Sequence, residues 1–292
     1  MQKMDDRMNI NWYPGHMKKT KELLQKNLKL VDIVVELLDS RIPFSSKNPD
    51  VDRIIKDKPK VVVLNKFDMA DPSKIKLWQD YYESQGIEAI PVNTISGKGV
   101  DKVIQACREA MREKMEALMK KGRNERAIRL MIVGVPNVGK STLINKLAGR
   151  KSTQTGDRPG ITKSNQWVKL KGDLELLDTP GILWPRFEDE NVAMNLAFTR
   201  AIKDEILDIE TLALRFIEKL EDRYPDNLKE RYKLEELGQT PLETMEMIGV
   251  KRGCLMARKE IDYTRVAKIV LNEFREGKTG KMTLEIPKDF KK

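Results

Sequence analysis

Cysteine is nearly missing from this sequence. Cys107 and Cys254 are the only two in 292 residues, too few for a disulfide framework and without the paired spacing of a structural zinc site. His16 is the only histidine. No apolar run approaches the length needed to span a bilayer. The first residues, MQKMDDRMNINWYPGHMKK, lack the apolar stretch and small-residue cleavage site of a secretory signal. A reducing cytoplasm and no membrane are the expectation. Neither an internal repeat nor a low-complexity tract occurs.

What remains is 40% hydrophobic and 34% charged residues, the balance of a soluble globular chain long enough for two domains. The net charge is +10 and unevenly placed. Residues 1–187 and 251–292 are basic, whereas 188–250 are acidic. That pattern fits either a solvated lysine-rich surface or a polyanionic partner such as RNA.

An amphipathic helix is expected over residues 17–30. The apolar runs VDIVVELLD, KVVVLN, IEAIPVN, IRLMIVGV and LELLDTPG then recur, with helical patterns between most of them. Such alternation predicts a largely parallel sheet covered by helices. REAMREKMEALMKKGRNERA reads as a helix running into a basic linker near Gly122. After Arg186 only helical patterns follow, over about 191–203, 208–222, 225–235, 241–251 and 263–276. Their Met and Leu positions read as core.

Each motif sits at the end of a predicted strand. GVPNVGKS, residues 134–141, fits G-x-x-x-x-G-K-S between a strand and a helix. Its glycines let backbone N–H groups curl around phosphate at a helix N-terminus. Lys140 is placed on the β- and γ-phosphates and Ser141 on Mg²⁺. The contact set is Pro136, Asn137, Val138, Gly139, Lys140, Ser141 and Thr142. DTPG, residues 178–181, offers Asp178 near the metal, through water, and the Gly181 N–H to the γ-phosphate. Between them, TGDRPGIT supplies a threonine to complete the Mg²⁺ shell, with Thr162 preferred and Thr155 in reserve.

NKFD, residues 65–68, has the composition of a guanine reader. The Asp68 carboxylate, acceptor-only, matches the adjacent N1–H and amino donors of guanine, while Asn65 and Lys66 shape the pocket. NTISGKG follows one strand later, with Thr94 and Ser96 as its contributors. The base-reading motifs therefore precede the phosphate-reading ones. This is the order of a circular permutation, which close chain termini make physically permissible.

That order, with WYPGHM near the start and DSRIPFSSKNP at residues 39–49, resembles the circularly permuted GTPases of ribosome assembly. The likeness covers nearly the whole chain and is most specific over residues 12–182. It implies an α/β P-loop GTPase fold, circularly permuted, with a C-terminal all-α domain. The expected domains are 1–187, a G domain with an N-terminal helical extension, and 188–292, a helical RNA-binding domain with a basic tail. The tail reads either as an RNA contact or as a solubilising end. The resemblance also implies GTP and GDP as ligands, and a precursor of the large (50S) ribosomal subunit and its rRNA as partner. Late subunit maturation is the task, and a monomer is expected.

Ras-like GTPases carry a water-orienting Gln after the D-x-x-G glycine, but Ile182 stands here. The resemblance points instead to His16 as the catalytic residue beside Lys140. Asn137 resembles the phosphate-loop asparagine of GTPases that recruit K⁺, and it also suits the turn itself. Arg41 and Arg158 are further candidates for a charge-stabilising finger, or else structural or RNA-facing. A nucleotide-gated RNA scaffold with incidental hydrolysis, and an RNA-modifying or protein-targeting GTPase, are the competing functions.

Overall fold

The computed structural model describes residues 22, 25–55, 58–122, 126–149, 167–177 and 189–290. Among these residues, six strands form one sheet in the order β3-β2-β1-β4-β6-β5. They are β1 (Ile33–Asp39), β2 (Lys60–Asn65), β3 (Ala89–Val92), β4 (Ile128–Gly134), β5 (Trp167–Leu170) and β6 (Leu174–Leu177). Neighbours run parallel except β5 against β6.

β1 is buried along its whole length, as a central parallel strand with both faces covered must be. Its alternate residues face opposite layers. Ile33, Val35 and Leu37 join the larger core with helices α3 (Val100–Lys120) and α4 (Lys140–Ala148). Val34 and Leu38 face two smaller clusters under α1 (Pro49–Ile55) and α2 (Pro72–Glu83). Helices therefore cover both faces, as the alternation of strand and helix patterns predicts.

The antiparallel hairpin is a correction to the expected strand list. WVKL pairs with LELL through a tight turn in which Gly172 and Asp173 both take positive φ, at 75° and 54°. The register pairs Leu170 with Leu174, so the loop is the three residues Lys171, Gly172 and Asp173, and loops of that length ordinarily end on a left-handed residue. The partly exposed edge strand carries too little apolar alternation to be read as a strand on its own.

The helical segment holds α5 (Glu190–Phe198), α6 (Ile209–Arg223), α7 (Pro225–Tyr232), α8 (Pro241–Lys251) and α9 (Tyr263–Arg275). Asp189, Asp208, Thr240 and Asp262 cap α5, α6, α8 and α9 by accepting from backbone N–H groups. Proline opens α7 and α8, where its missing N–H costs nothing. α5 stops at Phe198, short of the expected 203, because Arg200 turns left-handed at φ 63°.

The C-terminal segment is not a tail. Thr279, Met282, Thr283, Leu284 and Glu285 are all buried. The Met282 N–H donates to Met69 O at 3.0 Å and the Leu284 N–H to Arg41 O at 2.8 Å. Trp78 Nε1 donates to Glu285 O at 3.1 Å, and the Phe290 ring stacks on Phe44 at 3.7 Å. Its lysines hid a buried strap laid across the sheet domain. Of the expected helix over 17–30, residues 22 and 25–28 are helical and 29–30 form a turn, while 17–21, 23 and 24 lie outside the described residues. No helix among those described is long and apolar enough to cross a membrane.

Candidate nucleotide site

Strand order sets the site. β2 and β3 extend the sheet on one side of β1, while β4 lies on the other, so chain direction diverges between β1 and β4. Open α/β sheets bind ligands at such a switch point, outside the carboxyl ends of the strands. NKFD leaves β2, the NTIS loop leaves β3, and the phosphate loop leaves β4, all at that edge.

Asn65 ties the three together. Its Nδ2 donates to Val138 O at 2.7 Å, and its Oδ1 accepts from the Thr94 N–H at 3.2 Å. Lys66 Nζ donates to Asn137 O at 2.8 Å. A Cβ on Gly139, where φ is 102°, would lie 2.3 Å from Asn65 Nδ2 and 3.4 Å from Thr94 Oγ1. Glycine is thus required both for the backbone conformation and for close approach. Asn65, Lys66 and Thr94 are brought to Asn137, Val138 and Gly139, as the motifs predict.

Lys140 and Ser141 occupy the first turn of α4, next to Thr142. The outward-pointing backbone N–H groups of a helix's first turn, together with the helix dipole, favour an anion there. Asp68 lies half-buried on a single 3₁₀ turn beside Lys66. Among the described residues its carboxylate accepts no hydrogen bond, which suits a group meant for a ligand. Ser96 is exposed, and its hydroxyl accepts from the Lys98 N–H at 3.3 Å. Asn93 shapes that loop, its Oδ1 accepting from the Ile95 and Ser96 N–H groups at 2.9 Å each. His16, Thr162, Asp178 and Gly181, with Thr155, Arg158 and Ile182, lie outside the described residues.

Lys66 and Asn137 are both left-handed, at φ 62° and 58°, a conformation that costs a non-glycine residue roughly 1–2 kcal/mol. Asn137 Nδ2 donates to Arg200 O, in the turn after α5, at 2.7 Å. A carbonyl can only accept, so the amide is fixed with its oxygen turned away from Arg200.

Arg41 is no finger. It is 1% exposed and its guanidinium forks onto Asp39, with Nε to Oδ1 at 2.9 Å and NH2 to Oδ2 at 2.8 Å. Asp39 also accepts from Lys66 Nζ at 2.9 Å. Burial works to raise the Asp39 carboxyl, but the charges and hydrogen bonds of Arg41 and Lys66 outweigh it and hold the group well below the usual carboxylate range. Asp39 was absent from the sequence-derived site. Its signals in the sequence are its place at the head of DSRIPFSSKNP and at the end of an apolar strand, two residues before an arginine.

Mg²⁺ favours hard oxygen donors and commonly shares its shell with substrate phosphates. Ser141, half-buried at the helix start, fits that donor type. Among the described residues no group of three or more His, Cys, Asp or Glu side chains is placed to hold a metal by itself.

Residues 129–246 match a family model described as 50S ribosome-binding GTPase, and residues 54–187 one described as RsgA GTPase. Over 283 residues the chain is 50% identical to a ribosome biogenesis GTPase A of Bacillus cereus, spanning 97% of this chain and 96% of that one. A namesake from Thermotoga maritima is 32% identical over 281 residues, 96% of each chain. Among solved structures, GDP-bound TM YlqF superposes with a TM-score of 0.65 at 30% identity, covering 91% of this chain and 100% of that one. GNP-bound YlqF from T. maritima gives 0.63 at 29%, covering 92% and 98%.

Proposed function

The chain belongs to the ribosome biogenesis GTPase A family, and from that premise we propose that it hydrolyses GTP to time its own release from a maturing large ribosomal subunit. The observation that carries the nucleotide reading is the Asn65 amide. It bonds the phosphate loop on one side and the second base loop on the other. Segments far apart in sequence thereby become one site of guanine-nucleotide type.

Within it, backbone N–H groups from Asn137 to Ser141 cradle phosphate oxygens, and Lys140 neutralises charge at the β–γ bridge. Asp68 accepts from guanine, with Asn65, Lys66, Thr94 and Ser96 around the base. Pro136, Val138 and Thr142 complete the loop wall. Mg²⁺ would be held by Ser141 and Thr162, with Asp178 through water and the Gly181 N–H on the γ-phosphate. When bound, it supplies charge neutralisation on the phosphoryl group. K⁺ would take the amide oxygen of Asn137, whose nitrogen is engaged by Arg200. His16 orients the attacking water that Ile182 cannot. The net positive charge of residues 1–187 and 251–292 supports contact with rRNA phosphates.

The test is Asp68→Asn. Swapping one acceptor for a donor should shift preference from GTP towards XTP by orders of magnitude, because sites built on such buried hydrogen bonds reject the wrong analogue by about 10⁴. Competition binding with GTP, XTP and ATP reads the result. GTP affinity unchanged in the variant would refute the base-reading role.

A further inference from the structure

Behind Lys66 lies a buried ionic chain that leads out of the nucleotide site. Lys66 Nζ divides its donors between Asn137 O in the phosphate loop and Asp39 Oδ2. Asp39, 2% exposed, is gripped on its other side by the fork of Arg41. The remaining Arg41 nitrogen, NH1, donates to Phe274 O at 3.2 Å and Arg275 O at 3.4 Å, the last carbonyls of α9. The guanidinium carbon lies 4.9 Å from the centroid of the Phe274 ring. A cation on the orphan carbonyls of a helix C-terminus is favoured by both hydrogen bonding and the dipole.

We propose that Asp39 is a positioning residue of the nucleotide site, holding Lys66 against the phosphate loop, and that Arg41 makes this setting depend on how α9 is seated. The inference rests on the reading of Lys66 and the phosphate loop as a guanine-nucleotide site. Lysine is a flexible point charge with about 2 kcal/mol of side-chain entropy to lose. Without Asp39 its ammonium would sample other rotamers, and the Asn137 carbonyl would lose its donor. Arg41 cannot be replaced by another cation, because only a planar fork satisfies the carboxylate and the two carbonyls together. A second contact closes the ring. Arg275, the last residue of α9, donates to Ala197 O and Phe198 O at 3.0 Å each, next to the turn whose Arg200 O receives Asn137. Whatever displaces α9 therefore pulls on the phosphate loop from two sides, which is a contiguous physical route for coupling a partner on the helical segment to nucleotide affinity.

The experiment measures affinity for a fluorescent GDP analogue in the full chain, with thermal unfolding followed in parallel. Asp39→Asn should weaken binding by about 10-fold or more, the scale of loss when a positioned group is set free. Asp32→Asn is the control. Asp32 holds an equivalent fork from Arg126, at 2.7 and 2.9 Å, but at the amino end of β1, so it should cost stability and leave affinity within about two-fold. In a Lys66→Met background, Asp39→Asn should add almost nothing, because its effect runs through Lys66. Arg41→Lys, which keeps the charge and loses the fork, should weaken binding about three-fold or more. Folded Asp39→Asn protein that binds like wild type, or effects of Asp39→Asn and Lys66→Met that simply multiply, would overturn the proposal. A wild-type chain that binds no guanine nucleotide would overturn the site reading itself.

Discussion

Glu285 is a charge that the fold buries by choice of partners. It is 1% exposed and accepts from the Ser45 N–H at 2.8 Å, the Ser45 hydroxyl at 2.6 Å and Asn195 Nδ2 at 2.9 Å. Burial nevertheless wins over these bonds and over Lys219, pushing the carboxyl up to about 7 from an ordinary 4.5. The folded chain therefore binds more protons here than the unfolded chain between those two values. Stability from this group is complete at the acid end of that window and is lost as pH rises through it, by roughly 3 kcal/mol in the limit. Glu285→Gln should remove that slope. Urea unfolding at pH 5 and pH 7.5 checks it. Equal pH slopes in variant and wild type would show that Glu285 does not titrate in the window.

At the scale of elements, the strap after α9 decides how the helical segment sits. Leu284 is fully buried and its N–H bonds Arg41 O, so Leu284→Ala should cost about 2–5 kcal/mol. A solubilising tail would tolerate the change within about 0.5 kcal/mol, and chemical denaturation separates these outcomes. The central strands were legible because parallel strands buried on both faces leave unbroken apolar runs, as in IVVELLD and KVVVLN. The five later helices were legible because aspartate, threonine and proline punctuate them at their starts. The strap was not, because its lysines dominate the composition while its buried run, Met282 to Glu285, is short and half polar. β5 was hidden for a related reason, as an edge strand shows little apolar alternation. The phosphate and base loops stand out in the sequence by motif. Asp39 was missed because its role depends on Lys66 and α9, neither of which is near it in sequence.

Across the whole molecule, the permutation places the phosphate loop between the base loops, which precede it, and the helical segment, which follows. The phosphate loop touches both: Asn137 O receives Lys66, and Asn137 Nδ2 reaches Arg200 O. One large core cluster runs from the strands through α6 and α9 to Leu284, so a force on the helical segment has packed side chains to act through. On the proposed reading, with His16 rather than Ile182 positioning the water, release timed by hydrolysis requires that the partner complete the site. The central claim is therefore tested most directly by GTP turnover of the purified full chain, alone and with precursors of the large ribosomal subunit. Alone, turnover should be slow, on the order of 10⁻⁴ to 10⁻² s⁻¹ as in unassisted small GTPases. Precursor particles should raise it by about 10-fold or more, and small-subunit particles at the same concentration should not. The same slow rate with and without large-subunit precursors would contradict the account.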